Sequence, residues 1–163
     1  MLVKQLSLQR LTITSGNSFE AVVAKFERAV GHPNMAEFGR KMMDTENLEE
    51  METVVRDVLG PSGFMEFARY DLGAVIRKEQ HDAPNSVRYV IGNPLIMKEL
   101  VKRVPDAGSY APVTVLIDDR PNGVQLSYDK MESLLSSYEN GEALRVAREL
   151  DAKVASLLAE AAQ

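Results

Sequence analysis

Glu66, Tyr70 and Asp71 are two carboxylates and a phenol gathered on six residues at what reads as a strand end. Facing one cleft with shifted ionisation, such groups could exchange protons with a substrate. Gly92-Asn93-Pro94 offers different chemistry. A helix opening there would turn free backbone amides outward, and free amides bind carboxylate or phosphate. The same residues also have a purely local reading, because Asn is a preferred N-cap and Pro is favoured at the first helical position. His32 and His81 are the only histidines. His32 sits in a Gly-His-Pro turn with no acidic residue beside it in sequence. His81 lies near Glu79 and Asp82, in a polar loop without metal-ligand spacing, so no metal site is expected. Ser127-Tyr-Asp-Lys130 has the spacing of a Ser-x-x-Lys nucleophile but none of the partner motifs. No dinucleotide or phosphate-loop glycine pattern and no His-Glu-x-x-His is present. Cysteine is absent, which removes disulfides, thiolate nucleophiles and thiolate-bound metals.

The elements that position these residues are legible as periodicities. Ser86–Ile91 alternates as a strand. Asn93-Pro94 then opens a helix that stops at Pro105. Tyr110–Asp118 and residues 123–128 read as strands joined by an Asn122-Gly123 turn. Upstream, residues 2–14 alternate with Leu2, Leu6 and Leu8 in one phase and Leu11 and Ile13 in the other. The phase change at Arg10-Leu11 predicts a bulged strand. A helix over about 18–30 carries Phe19, Val22, Val23, Phe26 and Val30 on one stripe, with Asn17 and Glu20 spaced as a capping box. Residues 34–59 predict two short helices broken near Asp44–Asn47, the second opened by Asn47 and Glu50, with Gly60-Pro61 as the stop. Phe64–Tyr70 reads as a strand and Leu72–Glu79 as a short helical turn. The last helix carries Leu144, Ala147, Leu150, Val154, Leu157 and Ala161 on one side. Strands with one polar face argue against a sheet covered by helices on both sides. The expectation is an α+β fold: a single, mostly antiparallel sheet of about five strands with helices packed on one face, plus a helical pair at about 34–59.

A chain of 163 residues suits one domain, 1–163, with a core of ordinary size. The net charge of -5 argues against a nucleic-acid partner. The one basic cluster, Lys98, Lys102 and Arg103, complements the end of a predicted helix. No apolar run reaches the roughly 18 residues that span a bilayer. The N-terminus lacks the apolar core and cleavage site of a signal peptide. A cytoplasmic setting without membrane contact is the expectation.

The run from Val87 to Asp129, with Asn93, Pro94 and Pro112 at its fixed points, resembles the core of the "domain of unknown function 302" family. The Ser-Phe-Glu helix start at Ser18–Glu20 and the strand beginning Gly63-Phe64 resemble it as well. The resemblance implies a TATA-binding-protein-like arrangement and carries no established activity. It also implies that members often hold a cysteine before the Asn-Pro, where this chain has Gly92, so thiol chemistry cannot operate there. It marks residues 32–60 as a helical insertion. Five of the eight methionines (Met35, Met42, Met43, Met51 and Met65) fall in or beside that stretch. They suit either core packing or a surface that adapts to apolar shapes. The composite expectation is a non-catalytic domain, homodimeric and without a cofactor. It would bind a small apolar or amphipathic ligand between sheet and helices, with Gly92, Asn93, Pro94, Met42 and Met51 as ligand-binding residues. The alternative is an enzyme that uses carboxylate and tyrosine acid–base chemistry at the strand ends.

Overall fold

The computed structural model describes Met1 and residues 3–163. Leu2, expected at the start of the first strand, lies outside the described residues. Five strands form one antiparallel sheet: β1 (Arg10–Ser15), β2 (Met65–Asp71), β3 (Ser86–Gly92), β4 (Val113–Arg120) and β5 (Gly123–Asp129). Their order across the sheet is β1-β5-β4-β3-β2. The helices are α1 (Phe19–Ala29), α2 (Met35–Asp44), α3 (Leu48–Arg56), α4 (Leu72–Ile76), α5 (Pro94–Val101), α6 (Met131–Leu135) and α7 (Gly141–Ala162). The α+β architecture with one open sheet is the expected one.

Register divides the sheet into two unlike faces. Ile13 pairs with Leu126, Leu126 with Ile117 and Ile117 with Val87, so all four side chains leave the same side. With Tyr89, Val115 and Tyr128 they join Val22 and Phe26 of α1, Leu100 of α5 and the buried stripe of α7 in one core. The stripe on α7 is wider than its sequence periodicity suggested. It includes Ala143, Val146, Asp151 and Leu158 as well as the five expected residues from Ala147 to Ala161, while Leu144 is half-buried.

Several boundaries differ from expectation for physical reasons. β1 begins at Arg10, because only from there does β5 run alongside it. The phase change at Arg10-Leu11 therefore marks where pairing starts and is not a bulge. The bulge lies in β2, where Glu66 and Ala68 take consecutive partners and Phe67 is extra. Ser18 caps α1, its hydroxyl accepting from the Ala21 amide at 3.2 Å, in place of the expected Asn17. The Asn47–Glu50 signature is a working cap: Asn47 Oδ1 accepts from the Glu50 amide, and the Glu50 carboxylate accepts from the Glu46 amide. Helix α6, between β5 and α7, had no expectation.

The helical pair α2–α3 stands on β2 through a second, smaller cluster made by Phe38, Val55 and Met65, with Met42, Phe67 and Leu95 beside them. The chain leaves for it at Gly31 and returns at Gly60. Both amides donate to the Phe64 carbonyl at 2.9 Å, and the Gly31 carbonyl accepts from the Glu66 amide at 2.8 Å. The two glycines press so closely that a Cβ on Gly31 would overlap the Val58 carbonyl, and one on Gly60 would overlap the Gly31 amide. Both obstacles are backbone and cannot rotate away. Gly60→Ala is expected to destabilise the protein by about 2–3 kcal/mol, read as a fall of about 5–10 °C in Tm. Gly39→Ala, in the interior of α2 with nothing within 4 Å, should stabilise by about 0.5–1 kcal/mol. Equal effects from the two variants would refute the crowded neck.

Candidate functional site

The uncovered face of the sheet carries a recessed surface. Tyr70 pairs with Arg88, Arg88 with Leu116, and Leu116 with Ser127, which places these four side chains in one row across the outer face. In the neighbouring row Ala68 pairs with Val90 and Val90 with Thr114. Val90 and Leu116 are half-buried although no helix lies on them. They floor a trough of about 540 Å³ whose rim includes Leu8, Leu72, Tyr110 and Leu134. On the opposite side of the sheet the space under α5 is far smaller. Between α5 and the ends of β3 and β4 there is a crevice of about 10 Å³, space for roughly one water.

Buried polar groups hold the rim in place. Asp151 of α7 accepts from the Tyr128 hydroxyl at 2.7 Å, from the Met131 amide at 2.8 Å and from the Glu132 amide at 3.1 Å. One carboxylate thus ties β5 and α7 to the first turn of α6, which carries Leu134. Gln9 is fixed in turn. Its amide donates to the Ser133 hydroxyl at 3.0 Å and its carbonyl accepts from the Lys130 amide at 2.9 Å, and Leu8 follows from this. On the far side Asp71 caps α4, accepting from the Ala74 amide at 2.7 Å, which sets Leu72. At the hairpin end Asp118 bonds Arg120 at 2.7 Å through Oδ2, while its Oδ1 is buried without a protein partner. Burial pushes its carboxyl above the ordinary range.

The family described as domain of unknown function DUF302 matches residues 40–161, well over half of the chain. The chain belongs to this family. Comparison with curated proteins gave no match. Among solved structures, an uncharacterised conserved DUF302 protein from Bacillus stearothermophilus superposes with a TM-score of 0.66 at 10% identity, covering 93% of this chain and 97% of that one. At that identity the likeness concerns the fold alone. The DUF302 match begins within α2, so it takes in α3, while the Ser-Phe-Glu start of α1 lies outside it.

The structure scatters most of the residues singled out in this DUF302 chain. Asn93 is the N-cap of α5: its Oδ1 accepts from the Leu95 amide at 2.9 Å and its Nδ2 donates to the Gly63 carbonyl at 3.0 Å. With Pro94 buried at the first helical position and Gly92 against Pro112 and Phe67, local packing accounts for all three. Met42 borders the small cluster under the helical pair, whereas Met51 is half-buried outside it. No cavity joins Met42 and Met51 to the start of α5 among the described residues. Ser127 is buried and accepts from Gln125, while the Lys130 ammonium bonds Gln9 and Glu132, so they form no dyad.

The proposed acid–base trio is also divided. Glu66 lies 3.3 Å from Nδ1 of His32, whose Nε2 faces the Glu27 carbonyl at 2.8 Å. His32 therefore has an acidic partner that its sequence neighbours did not announce. Asp71 caps α4, and Tyr70 stands exposed under Arg88. Sequence reading missed Asp151, although a carboxylate four residues after Ala147 and three before Val154, on the apolar stripe, was a readable signal. It also missed Arg88, which no motif or spacing singles out.

Truncating Asp151 would strand a buried hydroxyl and two amides. Asp151→Ala is expected to destabilise by about 3 kcal/mol or more, and Tyr128→Phe by about 1 kcal/mol. Urea unfolding of both variants checks the order. Burial, and then the Asp151 charge, pushes the Tyr128 phenol above its ordinary value. Burial and the bond to Glu27 do the same at Tyr89. The folded protein keeps these protons where an unfolded chain releases them. Stability should therefore be complete below the ordinary tyrosine value of 10 and fall as pH rises beyond it. Alkaline unfolding followed by circular dichroism should show that decline, and Tyr89→Phe should flatten it. A decline of the same slope in the variant would refute the linkage.

Proposed function

We propose that this DUF302 chain is a non-catalytic binding domain that takes up a small amphipathic molecule on the uncovered face of its sheet. The observation that carries the reading is the contrast between the two faces. The space between sheet and helices is filled to a crevice of about 10 Å³, while the outer face holds about 540 Å³ over half-buried Val90 and Leu116. That volume falls within the range of about 300–1,000 Å³ of small-molecule sites. An apolar floor beside Thr114, Ser127 and Arg88 suits a ligand with one greasy and one polar end. The binding surface thus differs from the one expected between sheet and helices, and the chemical class of ligand stays the same. The scattering of Glu66, Tyr70 and Asp71 supports binding over acid–base catalysis.

Native mass spectrometry of freshly purified protein reads subunit number and any retained small molecule together. In solution, the neutral dye Nile red should brighten with the wild-type chain, and Leu116→Asn should weaken that binding about fivefold or more. Because Leu116 is half-buried on an open face, the variant should stay folded, with a Tm within about 5 °C of wild type. Undiminished brightening by the folded variant would overturn the assignment of the face.

A further inference from the structure

We propose that the amphiphile bound on the open face carries a negatively charged head, and that Arg88 recognises it. The proposal rests on the reading of that face given above. Two arginines stand on it. The Arg10 guanidinium is already held by both oxygens of Asp129, at 2.6 and 2.9 Å. Arg88 is exposed, and among the described residues no carboxylate lies within ion-pair distance of it. Its guanidinium is 5.7 Å from the centre of the Tyr70 ring, an arrangement that orients the planar fork without neutralising it.

Charge and shape together select the ligand. Among the described residues that line it, the trough has one uncompensated charge, and it is positive. Arg88 is flanked by Leu116 across the ladder and followed on its own face by Val90, so a head group at Arg88 places an attached chain directly over apolar floor. From β3 to β1 the trough crosses three strand spacings, about 14 Å at about 4.8 Å each. A medium-length acyl chain laid across the strands spans that distance, toward the rim at Leu8. A cationic head would meet Arg88 as a like charge. A neutral head accepts a single, weaker hydrogen bond and leaves the charge uncompensated. A carboxylate, sulfate or phosphate accepts two of its N–H groups in parallel. The chain's net charge of -5 disfavours anions at long range, so recognition has to be this local.

The test titrates the intact protein with dodecanoate, dodecan-1-ol and dodecyltrimethylammonium below micelle formation, using amide chemical shifts and calorimetry. Dodecanoate should move the amides of residues 88–90 and 114–116 and bind most tightly of the three. Arg88→Gln should weaken dodecanoate about tenfold or more while leaving the alcohol unchanged. Arg28→Gln, an exposed cation on α1, should change neither. Equal affinity for all three probes, or no effect of Arg88→Gln, would overturn the charge assignment and leave the binding face standing. No shift in these amides with any probe would overturn both. So would their protection by a second copy of the chain, seen as a dimer that dissociates on dilution.

Discussion

Everything else in this molecule depends on the burial of one face of a single sheet under α7. A sheet with one apolar side must cover it, because its exposed area would otherwise forfeit the main favourable term in folding. Here a 22-residue helix supplies nine buried positions along the inner face, and α1 and α5 fill the flanks. Between α5 and the ends of β3 and β4 the covered side leaves a water-sized crevice. One-sided packing thus fixes the structure and leaves a whole face free at the same time.

A carboxylate in the middle of that packing shows how the arrangement is locked. Asp151 sits on α7 among apolar neighbours, where an unpaired charge would be strongly unfavourable. Its three donors come from a strand and from the start of another helix, so it can be satisfied only when β5, α6 and α7 meet in one register. Hydrophobic area alone would tolerate sliding of the helix over the strands, whereas this network does not. The neck of the helical pair works by a different constraint. At Gly31 and Gly60 two chain segments run so close that no side chain fits between them. The Gly31 backbone then bridges the beginning of β2, which caps part of an edge that would otherwise present unpaired groups.

Much of the fold was legible because local chemistry determines it. Apolar spacing marked α1 and α7, and Asn47 and Asn93 announced helix starts that are capped by those same side chains. Alternation on Val87, Tyr89 and Ile91 and on Val113, Val115 and Ile117 identified strands and their inner face. The candidate site was far less legible. Arg88 and Leu116 are 28 positions apart in sequence and become neighbours only through the β3–β4 register. His32 and Glu66 meet because the chain loops out through two helices and returns. Neither meeting leaves a trace in short-range spacing.

By itself the sequence determined which segments are helices and strands, which side of each is apolar, and that the sheet would be covered on one face only. These follow from repeats of 3.6 and 2 residues and from capping rules that act within a few residues. The tertiary structure alone decided that only a water-sized crevice lies between α5 and the strand ends, that an open trough lies on the opposite face, and that, among the described residues, the charge of Arg10 is neutralised while that of Arg88 is not. Cavities and ion pairs depend on the distances between distant segments, and those distances exist only once the strands are in register.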